Sequence, residues 1–299
     1  MRVFVTGASG WIGSATVDEL LAAGHDVVGL ARSDASAAAL EAKGVKVRRG
    51  DLDDLDSIRA GAADAEAVIH LANKHDFNNP GVSNQAERAA IKAIGDTLEG
   101  SGRRFLFASG IIPVGGGRLA TEADASPFHG PDAPRGGGEN LALGYLTRDV
   151  HVVGARFAPT THGAGDNGLM AILVGIAREK GVAGYVGDGA NRWPAVHRSD
   201  AARLVHLGLQ KAPAGSLLHA IAEEGIPTRR IAEAIGNALD LPVASISAEN
   251  APAHFGWIGG FFGMDVPASS ARTQELLGWT PTGPTLLDDL GTGAYSAHG

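Results

Sequence analysis

Short apolar runs and longer stretches of helical spacing alternate along the first half of the chain. Residues 2–6 (RVFVT) form an apolar run ending at Gly7, the pattern of a strand buried on both faces. Ile12, Ala15, Leu20 and Ala23 then recur at helical spacing over residues 11–23, with Gly24 as the stop. The pairing continues with a strand at 26–31, an alanine-rich helix over 35–43 closed by Gly44, and a strand at 45–48. A short helix over 53–60, a strand at 67–71, a long helix over 82–99 stopped by Gly100, and a strand at 104–108 follow. A sixth strand is expected at 150–157, after a segment at 136–146. Further on, the pattern predicts helices over 168–180, 199–210 and 228–239 and a strand at 217–221.

Regular alternation of strand and helix predicts an α/β protein. The expected architecture is a Rossmann-type doubly wound parallel sheet with a smaller C-terminal substrate-binding region. The expected division is 1–165 for the nucleotide-binding domain and 166–299 mainly for the substrate region, with elements in 195–222 returning to the sheet.

Composition narrows the function. Glycine supplies 43 of 299 residues, about twice the usual ~7%, and is spread through the chain as many tight turns. With no cysteine there is no disulfide scaffold, thiolate metal site or cysteine nucleophile. The net charge is −8 and no run of Lys or Arg stands out, which argues against nucleic acid and anionic membrane as partners. No apolar run approaches the ~20 residues needed to span a bilayer. The start MRVFVTG lacks the pattern of a secretory signal. A cytoplasmic protein with a small-molecule substrate is the expectation, with a homodimer as one option.

The strongest motif is TGASGWIG at 6–13, set between a strand and a helix. Gly7 permits the sharp turn, Gly10 lets the backbone approach a pyrophosphate, and Gly13 lets the helix pack closely. Thr6, Gly7, Ser9, Gly10, Trp11, Ile12 and Gly13 are therefore candidate cofactor residues. The second strand ends Leu30-Ala31-Arg32-Ser33, without the acid that would bind an adenosine ribose. Arg32 with Ser33 suits a ribose 2′-phosphate, so NADP(H) is the expected cofactor, although Asp34 stands close by. Asp51 and Leu52 are placed for the adenine. Leu71, Ala72 and Asn73 close the fourth strand beside the cofactor.

These residues resemble an extended short-chain dehydrogenase/reductase of the NAD-dependent epimerase/dehydratase type. The likeness runs through TGASGWIG, GDL at 50–52, HLA at 70–72, FASG at 107–110, RFAPTTHG at 156–163, GDGANRWPAVHRSDAA at 187–202 and SSARTQELLGWTP at 269–281. The resemblance implies that Phe157 and Ala158 line the nicotinamide side and that Ser109 is the family's serine at the end of the fifth strand. It also implies a Tyr-x-x-x-Lys motif, and this chain departs from it. Arg135 stands where the Tyr is expected and Glu139 where the Lys is expected, with Gly136, Gly137 and Gly138 between them. The chain resembles atypical members with an intact glycine motif and no standard active-site residues.

Arg135 stays protonated near neutrality, so it is read as a binder of an anion or of a developing oxyanion, or as a simple i, i+4 partner of Glu139. The three glycines suggest a close backbone approach to cofactor or substrate. Ser109, Tyr145, His162 and His197 are the candidates for proton delivery. The aromatic stretch HFGWIGGFFGM at 254–264, with Trp193 and Tyr185, reads as an apolar substrate wall or as ordinary core. The expected function is an NADPH-dependent reductase of a small, partly apolar ketone or aldehyde, imine or activated alkene. The alternatives are a non-catalytic NADP(H)-binding sensor or scaffold, and a nucleotide-retaining epimerase or dehydratase. No phosphate loop with Gly-Lys-Ser/Thr, no hydrolase nucleophile elbow and no His-Glu-x-x-His occurs, and His70 and His75 are poorly spaced for zinc.

Overall fold

The computed structural model describes residues 1–74, 76 and 79–295; His75 lies outside the described residues. The strands are β1 (Arg2–Thr6), β2 (Asp26–Ala31), β3 (Lys46–Arg49), β4 (Ala67–His70), β5 (Arg104–Gly110), β6 (His151–Phe157), β7 (Thr160–His162), β8 (Ala183–Val186), β9 (Arg192–His197), β10 (Leu217–Ala220), β11 (Glu223–Pro227) and β12 (Val243–Ile246). The α-helices are α1 (Trp11–Ala22), α2 (Asp34–Glu41), α3 (Leu55–Ala63), α4 (Pro80–Leu98), α5 (Gly138–Leu143), α6 (Leu169–Lys180), α7 (Arg198–Lys211), α8 (Thr228–Leu239), α9 (Ala251–Phe255), α10 (Ile258–Phe262), α11 (Ala271–Leu277) and α12 (Leu286–Gly291).

A seven-stranded sheet in the order β10-β6-β5-β4-β1-β2-β3 forms the framework, and every pair in it is parallel. The order reverses at β1/β4, the switch point at which doubly wound sheets open a crevice beyond their strand ends. Side chains alternate across β1: Val3 and Val5 enter a core with Val17, Leu20, Leu204 and Val205 from α1 and α7, while Phe4 enters the opposite core with Ile58, Ile91 and Ile94 from α3 and α4. Burying both faces is what makes the first strands read as uninterrupted apolar runs.

The later chain divides its elements. Helix α7 packs on α1 and β10 adds the last strand, so these parts of 195–222 return to the sheet. Strand β9 instead joins β7 and β11 in a separate three-stranded sheet, and β8 pairs with β12. A third core, with Met170, Trp193, Ile231, Phe255, Ile258, Phe262 and Leu286, holds this smaller region together. The aromatic stretch is mostly that core: α9 and α10 bury Phe255, Ile258 and Phe262, and Trp193 is fully buried against Phe261 and Phe262. Only Trp257 and Met264 of the stretch are large apolar side chains left exposed.

The segment expected as one run over 136–146 is broken in three. A 3-10 turn spans Pro134–Gly137, α5 spans Gly138–Leu143, and a second 3-10 turn spans Gly144–Arg148. Arg135, Gly136 and Gly137 are all left-handed, with φ of 54°, 60° and 61°. A Cβ on Gly136 would stand 2.6 Å from the Asn84 carbonyl oxygen of α4, and one on Gly137 2.9 Å from the backbone of Gly130. Gly136 and Gly137 thus serve a left-handed turn pressed against α4 and the backbone of Gly130.

Candidate functional site

The glycine loop joins β1 to α1 at the crevice. Gly7 has φ 70°, and a Cβ there would stand 2.7 Å from the Ala72 amide. A Cβ on Gly13 would lie 2.0 Å from the Gly7 carbonyl oxygen. Only glycine fits at either place. Gly10 is the N-cap of α1 and brings no side-chain cap, so the first-turn amides are left for a ligand. Such a turn, open to the outside at exposed Ser9 and Gly10 and backed by amides at a helix N-terminus, fits a dinucleotide pyrophosphate.

The flanking residues make that loop rigid. Thr6 is buried; its hydroxyl is 2.7 Å from His70 Nδ1 and accepts from the Ala72 amide. The Trp11 indole donates to the Thr161 carbonyl at 2.7 Å, while Arg198 lies 4.3 Å over the indole and donates to the Trp11 carbonyl at 2.6 Å. Ile12 packs partly buried on the first core. Trp11 therefore ties the loop to the segment after β6 and to the start of α7.

At the end of β2, Arg32 is exposed and has no hydrogen-bond or ion-pair partner among the described residues. Ser33 caps α2 by accepting from the Ser36 amide at 3.1 Å. A second guanidinium, not singled out by the sequence, stands beside them. Arg49 at the end of β3 donates to the Ser33 carbonyl at 2.7 Å and pairs with Asp34 at 2.5 Å. The acid that contested the 2′-phosphate assignment is thus neutralised by a neighbour. Asp51 accepts from the Asp53 and Asp54 amides, so its carboxylate shapes the turn before α3, and Leu52 is buried. Leu71 donates its amide to the Thr6 carbonyl, and Asn73 donates to Glu87 at 2.7 Å. Phe157 and Ala158 are buried at the end of β6.

Ser109 lies near the end of β5, half-buried, its hydroxyl without a partner among the described residues. Beside it stands Arg135, whose Nη2 is 3.4 Å from the carbonyl oxygen of the preceding residue, Ala108. Arg135 and Glu139 do not pair with each other. Arg135 grips Glu87 of α4, with Nη2–Oε1 2.6 Å and Nε 3.1 and 3.2 Å from the two carboxylate oxygens. Glu139 takes the guanidinium of Arg156 on β6, with Nε–Oε2 2.9 Å and Nη2–Oε1 2.5 Å. Arg135 and Glu139, where the resemblance led one to expect Tyr and Lys, thus carry opposite charges, each neutralised by a residue distant in sequence. Glu87 lies on the alanine-rich stripe of α4 and Arg156 within a buried strand. A charge interrupting an apolar face was the available signal for both.

The proton-donor candidates scatter. Tyr145 is buried beside Gly95 at the far end of α4, donates to Asp96 at 2.8 Å, and lies away from the strand ends; burial and Asp96 push its phenol up to about 12. His162 is fully buried, with Nδ1 2.6 Å from Asp289, and burial lowers its pKa against the opposing carboxylate. His197 is 5.5 Å from the His162 ring and caps α7 through the Ser199 amide. Both histidines thus tie the smaller region to α12 and α7. His70 is buried at the end of β4, and burial and the Arg135 charge depress its pKa to about 4. No group of three metal-ligating side chains occurs among the described residues. No described helix is long and apolar enough to cross a membrane.

Comparison with known proteins fits this geometry. The model of the NAD dependent epimerase/dehydratase family matches residues 3–130. The chain is 46% identical over 296 residues to the uncharacterized protein C2A9.02 of Schizosaccharomyces pombe, covering 99% of this chain and all of that one. It is 41% identical to the uncharacterized protein YLL056C of Saccharomyces cerevisiae, covering 97% of this chain and 98% of that one. Among solved structures, UDP-glucose 4-epimerase of Thermus thermophilus in complex with NAD superposes over the whole of both chains, with TM-score 0.77 at 20% identity.

Proposed function

The chain belongs to the NAD-dependent epimerase/dehydratase family, and from that premise we propose that it is an NADPH-dependent reductase of a small, partly apolar organic substrate. The observation that carries this reading is the pairing of an intact glycine cradle with an unpartnered guanidinium. Gly7, Gly10 and Gly13 form the pyrophosphate turn, and Arg32, beside Ser33, has no partner among the described residues while Arg49 neutralises Asp34. A ribose 2′-phosphate offers the charge that Arg32 lacks. When bound, the nucleotide supplies a hydride from its nicotinamide ring.

The chain's own residues then set the kind of acceptor. Ser109 offers a hydrogen bond to an acceptor oxygen, and Arg135 offers positive charge, but neither releases a proton near neutrality. Tyr145, His162 and His197 are engaged elsewhere. The site is therefore suited to acceptors that need no concerted acid: an iminium, a conjugated alkene, or a carbonyl whose oxygen is held as an anion.

A second reading, a nucleotide-binding sensor without turnover, is favoured by one observation. Both positions of the usual Tyr and Lys are locked in ion pairs. NADPH consumption against ketones, aldehydes, cyclic imines and enones separates the two. Turnover on at least one class is expected; tight nucleotide binding with no turnover on any would replace the reductase with the sensor.

A further inference from the structure

Arg135 spends only one edge of its guanidinium. Nε and Nη2 face Glu87, and Nη2 also approaches the Ala108 carbonyl. Nη1 has no partner among the described residues, and it is not among the buried atoms left without one, so solvent reaches it. The two members of the pair differ sharply: the Arg135 side chain is 38% exposed and that of Glu87 3%. One group is the brace and the other faces outward.

The brace is costly to build. A non-glycine residue is held in the left-handed region, and a carboxylate is buried in the middle of α4 to hold it. Asn73 also donates to Glu87, fixing the carboxylate from the end of β4. All of this places a permanent cation on the rim of the sheet, beside the free hydroxyl of Ser109. Ligands of open α/β sheets bind along that rim. A guanidinium with an open edge recognises planar oxyanions.

We propose that the substrate carries a carboxylate next to its reducible double bond, and that Arg135 Nη1 grips it with the Ser109 hydroxyl as second donor. Glu87 acts as a positioning residue, orienting the guanidinium without touching the ligand. The inference deepens the reductase reading and rests on it for the location of the cleft. It differs in what it requires: recognition of an anion, whether or not hydride is transferred.

Paired probes test it: phenylpyruvate and cinnamate against their methyl esters, titrated by calorimetry into the protein with and without saturating NADP⁺. At least one acid is expected to bind ten-fold or more tighter than its ester. Arg135→Gln should erase that difference while leaving the NADPH Kd within threefold, and Arg135→Lys should restore part of it. Glu87→Gln/Arg135→Gln, which removes both charges, keeps the test open if the single variant fails to fold. Glu87→Gln alone should weaken the acid and not the ester. Equal binding of acid and ester, binding of neither, or an Arg135→Gln defect confined to NADPH overturns the proposal. Failure of NADPH itself to bind sinks the reductase reading instead, and the acid/ester comparison without nucleotide still decides the proposal.

Discussion

Arg156 on β6 lies side-on against Glu139 of α5, with both carboxylate oxygens bonded and both side chains at most 5% exposed. His219 completes the buried group, its Nε2 3.3 Å from Arg156 Nη1. Glu139, expected from the resemblance to stand in place of a lysine, is thus a carboxylate that serves the fold. Glu139→Gln is expected to destabilise the protein by about 3–5 kcal/mol, because it leaves a guanidinium buried without its counter-charge. Urea unfolding checks this; a change under 1 kcal/mol would mean that Arg156 is hydrated there.

The same relationship forbids a simple return to the family's pattern. Arg135→Tyr/Glu139→Lys rebuilds Tyr-x-x-x-Lys in sequence but sets a lysine against Arg156 and strips Glu87 of its partner. The variant is expected to melt well below the wild type and to gain no turnover. A stable variant with raised activity would show that the two ion pairs are dispensable.

Tyr145 is the remaining tyrosine near that segment, and its hydroxyl is committed to Asp96. Tyr145→Phe should cost about 1 kcal/mol of stability, the usual net value of one hydrogen bond, and leave turnover unchanged. A loss of turnover at unchanged stability would return Tyr145 to the site.

Stability should fall as the medium is acidified. His70 is buried in its neutral form, with a folded-state pKa near 4 against an ordinary value of 6.5. A histidine whose folded pKa is depressed contributes fully above pH 6.5; that contribution is lost as pH drops towards 4, by up to about 3 kcal/mol. Comparing urea unfolding at pH 7 and pH 5 for wild type and His70→Gln reads this term. A shallower slope in the variant is expected; an identical slope would assign the acid sensitivity to other groups.

What the sequence made legible follows from the range of the interactions. The glycine turn was readable because its constraints are local: Gly7, Gly10 and Gly13 clash or cap within the same strand-turn-helix unit, apart from the Gly7 contact with Ala72. The parallel sheet was readable because burial on both faces leaves apolar runs. The candidate site at the rim of the sheet was not. Arg135 finds Glu87 and Glu139 finds Arg156 only after α4 and β6 are packed, and an i, i+4 spacing suggested instead that they meet each other. The left-handed turn through Arg135 removes the helix on which that spacing depended. Arg49 was overlooked for a similar reason: it reaches Asp34 only through the β2–β3 pairing that sets Ala31 beside it.

The account depends most on which nucleotide binds at the β1–α1 turn. Calorimetric titration of wild type and Arg32→Ala with NADPH and with NADH tests it directly. NADPH should bind the wild type one-to-one and at least ten-fold tighter than NADH, and Arg32→Ala should remove most of that preference by weakening NADPH alone, in line with about 1.5–3 kcal/mol for a charged hydrogen bond. No heat with either nucleotide, or equal affinity for both in the wild type, would contradict the account.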